Sequence, residues 1–176
     1  MTHIGTYSGR LVDIEAPKED DFLLEDIAHA LPFLCRGSGQ CSTFFSVAQH
    51  CILCAREAEA RGYSREVVLA CLLHDASEAY MVDVPRPIKR NLIPEYIRYE
   101  NALLSCIYRK FIGRDLTEAE LAHVEKTDDD LLQYDLRYLL SREVDLPPIH
   151  VTPDYTFPGF EAVREEYLEL AHRLGI

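Results

Sequence analysis

The stretch Ser64-Arg65-Glu66-Val67-Val68-Leu69-Ala70-Cys71-Leu72-Leu73-His74-Asp75-Ala76-Ser77-Glu78-Ala79-Tyr80 decides how the chain is read. Ser64 is a good N-cap, and the run behind it predicts a helix to about Tyr80. Val67, Cys71, His74 and Glu78 recur at steps of three or four, so His74 and Glu78 share a stripe with core residues. Asp75 lies about 100° around the helix from His74, close enough for both to enter one pocket.

Other segments repeat the pattern of polar groups on apolar faces. Ser46 and Gln49 form a capping box that opens a helix ending near Arg61 and Gly62, with Val47, His50 and Cys54 on one face. Thr117 and Glu120 form a second box opening a long helix to about Leu140. On it Leu121, Val124, Asp128, Leu132, Asp135 and Leu139 make one stripe, from which Asp129 and Asp130 turn away. A buried, unpaired carboxylate costs several kcal/mol, so Asp128 calls for a cation, a metal or a hydrogen-bond cage.

The remaining chain supports an all-α bundle with a small N-terminal β-hairpin. The stretch Thr6 to Ile14 places β-branched and aromatic residues around a Ser-Gly turn. Helices are expected from Leu23 to Leu31, stopped by Pro32, and from Pro94 to Ile112, with Ala102, Leu103, Ile107 and Phe111 inward. A last one is expected from Phe160 to Leu174. Pro85 and Pro87 predict an extended loop, as do Pro147, Pro148, Pro153 and Pro158.

Length and composition bound the function. At 176 residues one domain over 1–176 is expected, and 48% hydrophobic with 27% charged residues is ordinary for a globule. A net charge of −12 argues against nucleic acid as a partner. The first residues lack a signal-peptide build and no apolar run reaches ~20 residues, so a cytoplasmic protein without a membrane partner is expected. In that setting the six cysteines read as free thiols. The C-x-x-C spacing of Cys51 and Cys54 reads as packing, because it lies inside the helix that presents His50.

Together, two inward histidines, an adjacent Asp and a distant inward Asp supply two imidazoles and two carboxylates, a set suited to Mn, Fe, Co, Ni or Zn. These residues resemble the HD phosphohydrolase superfamily, whose pattern H…HD…D on a helical core maps here onto His50, His74-Asp75 and Asp128 between about Leu23 and Leu140. The stretches Ser46-Val47-Ala48-Gln49-His50, His74 to Tyr80, and Asp83-Val84-Pro85-Arg86-Pro87-Ile88-Lys89 are similar to bacterial 5'-deoxynucleotidases and small phage-borne dATP triphosphohydrolases.

The resemblance implies metal binding by His50, His74, Asp75 and Asp128, with Co, Mn, Zn or Ni favoured over Mg. It implies catalysis by Glu78 with Lys89, and substrate contacts from Arg36, Asp83 and Lys89. It further implies a small deoxynucleotide as substrate and a homo-oligomer. The 5'-deoxynucleotidases tend to carry Trp after the Arg matching Arg36, where this chain has Gly37, and the chain has no Trp. The expected activity is therefore a dATP-like triphosphohydrolase, the alternative a 5'-deoxynucleotidase. Guanosine-tetraphosphate hydrolases place an acid after the Glu, where Ala79 stands here, and a sensor without turnover would have no use for Glu78. Arg86 and Arg90 read as surface charge.

Overall fold

The computed structural model describes residues 2–176 as a helical bundle with one small antiparallel sheet. The sheet pairs β1 (His3–Gly5) with β2 (Leu11–Asp13) in the register His3 to Asp13, so the expected hairpin forms and its first strand begins earlier than Thr6. Val12 buries its side chain completely, and the Asp26 carboxylate accepts from both the Ser8 N–H (2.7 Å) and its hydroxyl (2.9 Å). Those bonds tie the hairpin turn to α1 (Leu24–Ala30).

The helices that follow are α2 (Val47–Ala60), α3 (Arg65–Leu73), the single turn α4 (Glu78–Met81), α5 (Arg86–Asn91), α6 (Pro94–Ile112), α7 (Glu118–Tyr138) and α8 (Phe160–Arg173). Both capping boxes close: Ser46 with Gln49 opens α2, and Thr117 with Glu120 opens α7. Gly113, at φ 88°, ends α6 in the left-handed conformation that glycine reaches without strain.

α3 is the axis of the fold. Every residue from Val67 to Leu73 is buried, so it is apolar on all faces and not on one stripe. It packs chiefly on α2 and also meets α6, α7 and α8, while α1 and α2 both pack on α8. One buried apolar cluster runs from Val12 to Leu174.

Three expectations are corrected. The helix expected to reach Tyr80 stops at Leu73, and the chain crosses His74 to Ser77 in tight turns, Ala76 N–H bonding to Leu73 O and Glu78 N–H to Asp75 O. The i→i+3 pattern overwinds the chain, so His74 and Glu78 are not stacked one α-helical turn apart. The extended loop at Pro85 and Pro87 is only partly present, since α5 begins at Arg86. Pro87 occupies its first turn, where the missing N–H has no intrahelical partner to lose. Ala102 and Leu121 are exposed; on α6 Leu103 and Ile107 face inward as expected, joined by Cys106 and Tyr108, with Phe111 packed partly buried against them.

Between Leu140 and Gly159 no helix or strand forms, as the prolines indicate. The segment is fastened by side chains. Glu57, fully buried, accepts from the backbone N–H of His150 (2.8 Å) and of Val151 (3.0 Å), and pairs with Arg61 at 2.7 Å. Among the described residues no helix is long and apolar enough to cross a membrane.

A candidate metal centre

The C-terminal end of α3, the middle of α2 and the middle of α7 converge on one buried cluster. α2 delivers His50, which has no exposed surface, and α3 ends directly at His74. His74 Nδ1 lies 2.7 Å from the Cys71 carbonyl oxygen, to which it donates in the tautomer that leaves Nε2 bare. That Nε2 is buried and has no hydrogen-bond partner. An orphaned ring nitrogen beside carboxylates is costly to maintain unless a cation completes it.

The separations fit one ion. His50 Nε2 stands 2.9 Å from Asp128 Oδ1, His74 Nε2 stands 3.6 Å from the same oxygen, and His74 Nε2 stands 3.3 Å from Asp75 Oδ2. Two N or O ligands ~2.1 Å from a metal lie about 3.0 Å apart at right angles and about 3.4 Å apart tetrahedrally. The chain thus presents a buried His/Cys/Asp cluster able to hold a metal. Three of the four sequence-derived ligands, His50, His74 and Asp128, form one group with Cys54, whereas Asp75 falls in a second group with Cys51 that shares only His74.

Electrostatics agree with a cation at this point. Burial and the Arg36 charge press the His50 imidazolium down, yet the Cys54, Asp128 and Asp135 side chains outweigh them and hold its pKa well above the usual range. Burial likewise opposes charge on Asp128, but the hydrogen bond with His50 and the nearby His74 imidazole keep its pKa well below the ordinary carboxylate value. Asp75 is lowered despite burial by His74 and Arg36. Anionic groups crowd the cluster, which favours a cation among them.

A cavity of about 540 Å³ opens against the cluster, and Arg36, Asp75, Glu78, Asp83, Lys89 and Asp128 all reach its wall. Arg36 does not hang free as a loop residue: Nη1 donates to Asp75 Oδ2 at 3.2 Å and Nη2 lies 3.5 Å from Asp135 Oδ2. Glu78 is buried, with Oε1 3.5 Å from Lys89 Nζ and Oε2 unpartnered. Burial first, then the charges of Asp75 and Asp83, raises its pKa well above the normal carboxylate value. Burial also raises Asp83. Lys89 is shared between Glu78 and Glu100 and sits over the Tyr96 ring.

Several residues beside the cluster were not among the candidate site residues of the sequence. Asp135 Oδ2 lies 3.0 Å from His50 Nδ1, on the far side of the ring from Asp128, an ion-pair separation at which neither atom completes a hydrogen bond. Its signal was present, two α-helical turns beyond Asp128 on the same stripe. Arg86 is not plain surface charge, because Nη2 meets Asp128 Oδ2 at 3.1 Å and Nη1 meets Asp129 at 2.7 Å. No local pattern could show that, since the pair joins α5 to α7. Cys54 and Cys51, read as packing, border the histidines, with Cys54 Sγ 3.4 Å from His50 Nε2. Asp130 turns away from the stripe as read, into a buried pair with Arg61 at 2.9 Å.

Gly37 also lies on the cavity wall, at φ +60°. A Cβ there would touch Cys41 and Leu140 at ordinary contact distance, so the backbone conformation, more than lack of room, favours glycine.

No family model matches the chain. It is similar to the uncharacterized protein YfdR of Escherichia coli (strain K12), 39% identical over 111 residues that cover 63% of this chain and 59% of that protein. It is also similar to the uncharacterized protein RCAP_rcc00048 of Rhodobacter capsulatus, 36% identical over 109 residues that cover 59% of this chain and 55% of that one. The chain thus matches little more than half the length of these relatives.

Proposed function

We propose that the chain is an HD-type, metal-dependent phosphohydrolase that cleaves a deoxynucleotide, with a dATP-like triphosphate as the leading substrate. The observation that carries this reading is the buried meeting of His50, His74 and Asp128, with His50 Nδ1 and His74 Nε2 both lacking a hydrogen-bond partner, beside a cavity that also exposes Glu78. His50, His74, Asp75 and Asp128 would hold the ion. Bound there, it supplies Lewis acidity toward a phosphoryl oxygen and acidifies water.

The protein's own groups account for the proton. Glu78, ionised with Lys89 beside it, accepts a proton from the attacking water as that oxygen bonds to phosphorus. Its raised pKa lets it return the same proton to the leaving O5' as the phosphorus–O5' bond breaks. Arg36 is fixed by Asp75 and Asp135 at the cavity wall, where its remaining N–H groups can meet phosphoryl oxygens. Arg90 and Arg142 line the same cavity and make no ion pair among the described residues, which offers a polyphosphate two further guanidinium groups.

A second reading has its own support. Arg36 and Lys89 are already engaged by acids, which leaves less cationic capacity near the cluster and suits a deoxynucleoside monophosphate. A panel of nucleotides incubated with Mn or Co and resolved by anion exchange decides between them. Deoxyadenosine with intact triphosphate from dATP supports the leading substrate. Turnover of dAMP with dATP untouched selects the monophosphatase, and release of dAMP and pyrophosphate contradicts both.

A further inference from the structure

We propose that Cys54 ligates the same ion as His50, His74 and Asp128 through Sγ, an inference that rests on the metal centre proposed above. His50 and Cys54 lie four residues apart on α2, hence on one face. Cys54 is 1% exposed and His50 is fully buried. Their contact atoms, Cys54 Sγ and His50 Nε2, are 3.4 Å apart. One ligand atom each from His50, Cys54, His74 and Asp128 all lie within 4.8 Å of one another.

That compactness is what a shared ion requires. Sulfur at ~2.3 Å and nitrogen at ~2.1 Å from one metal sit about 3.6 Å apart in a tetrahedral arrangement. The bare, buried Nε2 of His74 opens onto the same space, an independent sign that a ligand is missing from the protein's own contacts. Cys51 is a weaker candidate, because its thiol groups only with His74 and Asp75 and not with both histidines. On binding, the metal–sulfur bond forms as the thiol proton leaves to solvent.

A thiolate changes what the site selects. Sulfur favours Zn(II) and Co(II) over the harder Mn(II) and Mg(II), whereas two imidazoles and two carboxylates alone would discriminate less. Cys54 would therefore set metal preference in a centre whose other ligands are permissive.

Cobalt reports this directly. The full chain is stripped with chelator and titrated with Co(II), and its near-ultraviolet absorption is compared with that of the Cys54→Ser, Cys54→Ala, Cys51→Ser and Cys106→Ser variants. The expected result is a thiolate-to-cobalt charge-transfer band at one equivalent, kept in the Cys51 and Cys106 variants and lost from both Cys54 variants. Cobalt affinity should fall about tenfold or more in the Cys54 variants. The wild-type spectrum stands even if a variant fails to fold: cobalt bound with no band overturns the proposal and leaves the metal centre intact. A band that survives in the Cys54 variants and disappears in Cys51→Ser also overturns it. Wild-type protein that binds no cobalt overturns both this proposal and the metal centre beneath it.

Discussion

Replacing Glu78 with Gln should make the metal-free protein more stable at neutral pH while disabling turnover. Glu78 is 3% exposed, one carboxylate oxygen lacks any partner, and its nearest cation, Lys89, stands at 3.5 Å and is shared with Glu100. Burial and the neighbouring Asp75 and Asp83 charges therefore raise its folded pKa well above normal. The folded state then holds a proton that the unfolded chain releases above about pH 4.3. Stability falls as pH rises through the window from that unfolded value to the raised folded one, by at most ~1.4 kcal/mol per pH unit.

Gln fixes the neutral form and removes this penalty. Urea unfolding of chelator-treated protein across a pH series should show Glu78→Gln more stable than wild type at pH 7, with the difference vanishing below about pH 4, where both states hold the proton. Turnover with metal restored should fall on the order of a hundredfold or more, because Gln cannot relay the proton. A variant less stable than wild type at pH 7, or one with near-normal turnover, would refute the assignment.

Other residues give independent tests. Asp135→Asn should weaken metal binding about 10- to 100-fold in a chelator competition, since it removes the carboxylate charge 3.0 Å behind His50 Nδ1, and unchanged affinity would show that this outer carboxylate does not support the ligand. Glu57, whose folded pKa is lowered by His150 and Arg61 against the opposing effect of burial, contributes stability above about pH 4.3 that is lost as pH falls through the folded value. Glu57→Gln should cost about 3 kcal/mol at pH 7 by chemical denaturation, with the gap closing in acid. An equal cost at pH 3 would contradict the ionic account. Val82 adopts φ 62°, ψ 160°, a region nearly restricted to glycine, so Val82→Gly should raise the urea midpoint by about 1 kcal/mol equivalent. A lowered midpoint would show that the valine side chain contributes more than its backbone strain costs.

Capped, periodic helices were legible in the sequence because their signals are local. Ser46, Thr117, Pro94 and Gly113 mark ends that the structure reproduces within a residue or two. The turn from His74 to Ser77 was not legible, since its residues all suit a helix and only packing tightens the chain there. α5 was hidden by a proline that looks like a breaker but lies in the first turn. Histidines and aspartates on apolar faces were visible as inward polar groups, and His50, His74 and Asp128 meet in the structure. What they could not show were contacts between distant elements: Arg86 on Asp128, Arg36 between Asp75 and Asp135, and Cys54 against His50. Cysteine serves equally well as a small core residue, so its type gave no warning.

If the chain is the proposed phosphohydrolase, hydrolysis depends on an ion held by the buried cluster. The most direct measurement follows dATP and dAMP turnover by the purified chain as isolated, after exhaustive chelation, and after return of Mn(II) or Co(II), with bound metal determined in each sample. Turnover should disappear with the metal and return as about one equivalent rebinds. Full turnover in protein shown to be metal-free, or a full equivalent of metal with no hydrolysis of any nucleotide tried, would contradict it.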